Sequence, residues 1–314
     1  MKLDITAKIY NDEDAARSHL EEQLWPDGPF CPHCGSFNNT ALHGKAHRKG
    51  LYQCNDCREQ FSVTVGTIFE RSKIPLHKWV LASHLFAASK KGMSSKQIER
   101  MLGVSYKTAW FITMRLREAA TDPSAEPMGG ASKVLESDET FVGGKKKNVH
   151  KGKPEPKKKP VHALVERGGR VSAKHIADVT AATLRATIEK TADRKSTLNT
   201  DDALANLSIG KDFAAHRTVA HTLGEYVSKD GKAHTQTVES FFAILKRGVT
   251  GTFHSISEQH LDRYVQEFAF RWNTRVALGV DDFERAARLV RAARGKRLTY
   301  RPIADGQEEG PLVS

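Results

Sequence analysis

The sequence predicts an α/β protein, a mixed-sheet domain preceded by a metal-binding ribbon and a helix-turn-helix segment. Three observations predict it. All four cysteines fall between positions 31 and 57. Residues 76–119 carry helical apolar spacing broken twice by glycine. After a stretch rich in Pro, Gly and Ser (121–131), runs with strand character alternate with helical ones.

Composition sets the bounds. A chain of 314 residues with 39% hydrophobic content can bury a core in two or three domains. The 49 basic residues outnumber the 37 acidic ones, giving +12, a surplus that favours a polyanionic partner such as nucleic acid. No apolar run approaches the roughly 18 residues a membrane helix needs. The first twenty residues alternate charged and apolar side chains and lack a signal-peptide core. The expectation is a cytoplasmic protein with no membrane partner.

Residues 1–27 read as a helical lead-in, with Ala15, Leu20 and Leu24 as its apolar positions. Residues 28–70 hold Cys31, Cys34, Cys54 and Cys57 in the spacing C-x2-C-x19-C-x2-C. Each pair turns two thiolates back on one ion, and two such knuckles close a tetrahedron around a single structural Zn2+. Four thiolates leave no open position for chemistry and no need for His33, His43 or His47 as ligands. So small a ribbon draws much of its folding energy from the metal.

Residues 76–120 read as a helix-turn-helix segment. Ser94 caps a short helix, Ile98 and Leu102 face inward, Gly103 permits the turn, and Val104 fills the corner. Ala109 and Ile112 face the core of the next helix. Tyr106, Lys107 and Thr108 then stand at the exposed start of the recognition helix, where DNA is reached.

The α/β domain spans 132–276, and a C-terminal helix with a loosely ordered tail completes the chain (277–314). Strands are expected over 133–142, 161–166, 170–178, 196–200 and 212–220, and helices over 180–192, 202–208, 235–247 and 257–272. Alternation along the first strand puts Glu136 and Asp138 on one face and Glu139 on the other, and does not decide whether Asp138 or Glu139 would bind a metal. Asp201 ends a short strand, at the edge where α/β sheets place function. On the late helix, Val238, Phe241, Phe242 and Leu245 form an apolar stripe. Glu239 and Lys246, seven residues apart, share a face about 10 Å apart along the axis, so a phosphate near one is within reach of the other. Eight lysines lie within 145–160. Of these, Lys145, Lys146, Lys147, Lys157, Lys158 and Lys159 are placed to grip DNA phosphates in a salt-dependent way.

Several stretches together resemble a known family: CPHCGS with YQCNDCREQFSVTVGTIFE, GVSYKTAW, ESDETFVGG, TDDA, HTQTVESFFAILKRGVTGTFH and HLDRYVQEFAFRWNTR. They are similar to the DDE transposases of bacterial insertion sequences that carry an amino-terminal zinc ribbon, over about residues 28–276. The resemblance implies a ribonuclease-H-like catalytic domain. It makes Asp138, Asp201 and Glu239 the catalytic acids and Lys246 the basic residue that follows. Related sequences often carry Asn where Gln236 stands, and in some that position completes the triad, so Gln236 is the alternative to Glu239. Such enzymes take two Mg2+ about 3.5–4 Å apart, or Mn2+ in their place. Water cuts at the element end, and the freed 3′-hydroxyl then attacks target DNA. The partners implied are double-stranded DNA, as terminal repeats and target, and further copies of the same chain. The rival readings are a DNA-binding regulator with an inert α/β domain and a nuclease that cuts without joining.

Overall fold

The computed structural model describes residues 4–122, 126–144, 157–220, 227–228 and 231–299. It divides into two compact units, one formed by 1–121 with 280–314 and the other by 122–279.

The first unit opens on α1 (Glu13–Leu24), capped by Asp12, whose side chain accepts from Ala15 N at 2.8 Å. Its buried stripe is Ala16, Leu20 and Leu24, at strict i, i+4, i+8 spacing, rather than one that starts at Ala15. A three-stranded antiparallel sheet follows, β1 (Asn39–Leu42), β2 (Leu51–Cys54) and β3 (Gln60–Phe61), in the order β1-β2-β3. Trp25 stands edge-on to Tyr52 and to Phe61, and those two rings stack on each other, so the ribbon rests on an aromatic floor supplied just beyond α1.

Three helices come next: α2 (Leu76–Ala88), α3 (Ser95–Leu102) and α4 (Tyr106–Ala120). Ser94 and Ser105 each cap the helix they precede, accepting from Gln97 N at 3.2 Å and Thr108 N at 3.3 Å. Gly103 takes the left-handed conformation (φ 59°) at the end of α3, which a side chain would strain. Ile98, Leu102, Ala109 and Ile112 are buried, while Tyr106 and Lys107 are exposed. These are the features expected of a helix-turn-helix. The C-terminal helix (Asp282–Arg291) packs in this unit against α2. Residues 294–299 are not the loose tail the sequence suggested. Gly295 N bonds Gly66 O at 2.9 Å, the Lys296 ammonium bonds Ala119 O at 2.8 Å, and Leu298 O accepts from Arg115.

The second unit is a five-stranded mixed sheet between helices. Its strands are β5 (Val134–Val142), β6 (Lys159–Glu166), β7 (Val171–His175), β9 (Thr197–Asp201) and β10 (Ala215–Val219), in the order β10-β9-β5-β6-β7. The short pieces β4 (Met128–Gly129) and β8 (Ala192–Asp193) pair separately. β5, β7, β9 and β10 run in one direction, and β6 alone runs antiparallel to them. The helices are α5 (Ala181–Thr191), α6 (Leu204–Gly210), α7 (Gln236–Gly248) and α8 (Glu258–Asn273). One face of the sheet buries Val161, Ala163 and Val165 against Phe241, Leu245, Val265 and Phe268 of α7 and α8. The other buries Leu135, Leu164 and Leu198 with Leu184 and Ile188 of α5 and Ile209 of α6. This is the ribonuclease-H-like α/β architecture.

β7 is an edge strand, and α8 closes that edge. Alternate β7 residues each meet a polar side chain of α8 through at least one backbone group. Asn273 takes both Val171 N (2.7 Å) and Val171 O (2.9 Å), Gln266 donates to Ala173 O (2.8 Å), and Asp262 accepts from His175 N (3.1 Å). An edge that could template aggregation is thereby satisfied inside the fold.

His162, buried on β6, bonds Ser137 Oγ through Nε2 at 2.9 Å, and burial holds its pKa down to about 4. It is neutral in the folded chain, whereas in the unfolded chain it gains a proton near pH 6.5. The stability this group contributes is therefore complete above about pH 6.5 and is lost as pH falls from there to about 4. Melting midpoints of wild type and His162→Gln should converge as pH falls through that window; curves that stay parallel would rule out a buried neutral imidazole.

Candidate active site and metal centre

The ribbon's metal centre is built by two matching turns. Gly35 N bonds Cys31 O at 2.8 Å, and Arg58 N bonds Cys54 O at 3.1 Å. Gly35 (φ 77°) and Arg58 (φ 66°), each just past the second cysteine of its pair, are both left-handed. These turns bring the four sulfurs within 4.8 Å of one another, with Cys31–Cys57 and Cys34–Cys54 at 3.6 Å. Zinc–sulfur bonds of 2.3 Å in a tetrahedron place sulfurs roughly 3.8 Å apart, so the quartet fits a zinc ion. Burial pushes the Cys31 thiol up to about 12, and backbone N–H groups led by that of Cys57 pull Cys54 down to about 7. Such thiols are held as a set by a shared cation rather than by their own ionisation.

Two of the expected acids, Asp138 and Asp201, stand on the two adjacent parallel strands β5 and β9. The β5–β9 ladder pairs Val134 with Thr197, Leu135 with Leu198 and Glu136 with Asn199. Carried two residues further, that register sets Asp138 level with Asp201 on strands about 4.8 Å apart. Both are half-buried. Asp201 Oδ1 accepts from Ala203 N (3.1 Å) and Asn206 Nδ2 (2.7 Å), so Asp201, rather than Asp202, organises the start of α6. Asp138 Oδ1 accepts from Glu139 N at 2.7 Å.

Glu139 reports on this neighbourhood. Burial first, and then the negative charges of Asp138 and Asp201, push its carboxyl up to about 8. Its Oε1 is buried with no hydrogen-bond partner among the described residues. Oxygen donors alone, mutual repulsion and an orphaned buried oxygen fit a hard divalent cation.

Glu239 lies in the first turn of α7, half-buried, and its Oε1 accepts from Thr235 Oγ1 at 3.0 Å. Lys246 and Gln236 are exposed on the same helix. Among the described residues, the cysteine quartet is the group gathered to metal-binding distance, and Asp138, Asp201 and Glu239 are not drawn together that tightly. What brings α7 to the acids is Glu136, a residue that sequence reasoning passed over. Its carboxylate is fully buried and accepts from Thr237 N (2.8 Å), Val238 N (3.1 Å), Thr237 Oγ1 (2.8 Å) and Arg167 Nε (2.6 Å). The available signal was an acid two residues before Asp138, on the same strand face, with apolar neighbours.

Of the expected DNA contacts, Tyr106, Lys107 and Thr108 begin α4 in the first unit. Lys157 and Lys158 are exposed. Lys159 begins β6, and its ammonium bonds Ile256 O at 2.6 Å, so it is committed to the fold. Lys145, Lys146 and Lys147 lie outside the described residues. No helix among the described residues is long and apolar enough to cross a membrane.

A mixed sheet of this order, in a chain that carries a thiolate ribbon, places the second unit in the ribonuclease-H-like class. A family model described as an ISXO2-like transposase domain matches residues 130–273, and one described as a transposase zinc-ribbon domain matches residues 11–60. The chain thus carries both a transposase domain and a transposase zinc ribbon of the insertion-sequence type. It is similar to an uncharacterized protein in transposable element ISH50 of Halobacterium salinarum, with 28% identity over 282 residues, covering 84% of this chain and 92% of the relative.

The zinc centre makes a direct prediction. Purified protein should carry close to one zinc per chain, and Cys54→Ser should lose it while residues 28–70 become open to proteases. Full zinc content in both Cys31→Ser and Cys54→Ser would show that the ion sits elsewhere.

Proposed function

We propose that this transposase cuts at the ends of its element and joins the freed 3′-hydroxyl to target DNA, with Asp138, Asp201 and Glu239 as the acids that hold catalytic divalent cations. The observation that carries the reading is the β5–β9 register, which carried two residues on sets Asp138 level with Asp201, with the half-buried Glu139 near enough for their charges to help raise its carboxyl to about 8. Like charges concentrated at one edge are stable when a cation lies between them. Magnesium, or manganese in its place, would supply an activated oxygen nucleophile and neutralise phosphate charge. The residues do the rest. Asp138 and Asp201 present carboxylate oxygens from a rigid sheet, and Glu239 presents a third from the first turn of α7. The exposed Lys246, two turns along that helix, meets a DNA phosphate. Gln236 is exposed and carries no charge, so Glu239 is the better third ligand for a cation.

DNA is delivered by the helix-turn-helix. The exposed Tyr106 and Lys107, with Thr108 beside them, open α4 and read or grip the element end. Lys157 and Lys158 add salt-sensitive phosphate contacts.

The test uses labelled terminal-repeat DNA, a target plasmid and Mg2+. Wild type should give joined products, and Asp138→Asn should lower joining by at least about a thousandfold, the scale expected when charge stabilisation at a reacting phosphate is removed. End binding by the same variant should stay within a factor of two or so, because α4 is untouched. Cleavage without joining would make the protein a nuclease; joining that survives Asp138→Asn would place the chemistry elsewhere.

A further inference from the structure

Two strand positions below the acids, side chains on β5 and β9 hold the chain that leads into α7. Glu136, below Asp138, receives the first free N–H groups of α7 from Thr237 and Val238. The N-cap Thr235 makes no capping bond of its own, and its hydroxyl goes to Glu239 instead. The helix is therefore capped by a carboxylate that stands 101 residues earlier in the chain. Asn199, the register partner of Glu136, lies below Asp201 and donates to Lys232 O (3.2 Å) and His234 O (3.3 Å). Arg167 completes the layer. Its Nε bonds Glu136 at 2.6 Å, and its two terminal nitrogens bond the same carbonyls, Lys232 O at 3.0 Å and His234 O at 3.1 Å.

Arg167 sits at the turn between β6 and β7, and that turn is itself held. Arg275 Nη1 donates to Gly169 O at 2.9 Å, and Asn273 pairs with both backbone groups of Val171. These two residues belong to the FRWNTR segment, whose sequence offers no chemistry of its own.

We infer that Glu136, Asn199 and Arg167 are positioning residues that set Glu239 opposite Asp138 and Asp201, and that Asn273 and Arg275 keep this layer in register by clamping the β6–β7 turn. The inference rests on the reading of those three acids as the metal-holding set. Its physical content is a ruler. A fully buried carboxylate with every oxygen occupied tolerates little movement, since a shift of α7 would leave buried N–H groups and a buried charge unmatched. Glu239 follows Val238 directly, so the ruler ends one residue from the acid it places. The FRWNTR segment thereby gains a role: it fixes Arg167 from behind without touching DNA or metal.

The experiment uses the full chain as wild type, Glu136→Gln, Arg167→Lys, Asn273→Ala, the double variant Glu136→Gln/Asn273→Ala, and Asp138→Asn as control. Four quantities are read: the single-turnover rate of joining, the Mg2+ concentration for half-maximal rate, the affinity for terminal-repeat DNA, and the melting midpoint. Glu136→Gln should slow joining by at least about tenfold and raise the half-saturating Mg2+ several-fold, while DNA affinity stays unchanged, as expected for a misplaced ligand. Arg167→Lys keeps the charge but loses the fork to two carbonyls, and should shift both quantities the same way if Glu136→Gln fails to fold. Asn273→Ala should do so more weakly, and the double variant should be no slower than Glu136→Gln alone, because both act through one element. An unchanged Mg2+ requirement, with joining reduced only in step with the folded fraction, would mean these residues merely stabilise the fold and would overturn the inference. Additive losses in the double variant would remove Asn273 from the layer. Joining that persists in Asp138→Asn defeats the reading of the acids instead, whatever the other variants do.

Discussion

The parallel pairing of β5 with β9 is the constraint on which the second unit depends. Nothing local in the chain brings Asp138 to Asp201, which lie in segments separated by a hairpin and a helix. The pairing does so because its register is pinned from both faces. Leu135 and Leu198, level with each other, share the core beneath α5 and α6. Glu136 and Asn199, level on the opposite face, share the chain leading into α7. A slip by one residue would send leucines to the polar side and a carboxylate into an apolar cluster, and a strand's period of two forbids such a compromise. The acids therefore need no contact with each other to be aligned. They inherit their alignment from the residues below them.

The cysteine quartet and the proposed carboxylate set are placed by opposite means. In the ribbon, four thiols are folded around a point by two tight turns, and no position is left open. At the sheet edge, carboxylates come from two strands and a helix. Each is held by a neighbour of its own: Asp201 by Asn206, Asp138 by the Glu139 N–H, and Glu239 by Thr235. The first arrangement suits an ion that stays and supports the fold. The second suits ions that share their coordination with a substrate, since side chains anchored separately keep their aim when the ligand set changes.

Much of this was legible in the sequence. Cysteine spacing carries its own geometry, so the ribbon could be read directly, and so could a helix-turn-helix whose serine caps and left-handed glycine are local signals. The strand and helix order of the second unit also follows from periodicity, with ends displaced by up to three residues. What escaped depends on long-range contacts. Lys159 looks like its neighbours in a lysine-rich stretch, yet its ammonium meets Ile256 O, 97 positions away. The chain after Arg294 is polar and basic, as tails are, yet it returns to Gly66, Ala119 and Arg115. The role of Asn273 is to complete an edge strand, and no pattern in a single helix can announce an edge it has not met.

Glu136 and Glu139 make the sharpest comparison. They stand three residues apart on one strand, on opposite faces, Glu136 fully buried and Glu139 half-buried, and sequence alone offers no ground for separating them. Their surroundings do. Glu136 faces an arginine, a threonine hydroxyl and two helix N–H groups, enough donors to match its oxygens, so its charge is balanced within the protein. Glu139 lies close enough to Asp138 and Asp201 for their charges to raise its carboxyl, and one of its oxygens has no donor among the described residues. A buried acid that is fully matched holds structure together, whereas a half-buried acid with an unmatched oxygen near other acids marks a place where the protein alone does not balance its charge. That imbalance, together with the order brought by Glu136 just beneath it, is the physical reason to look for cations at this edge and not elsewhere on the sheet.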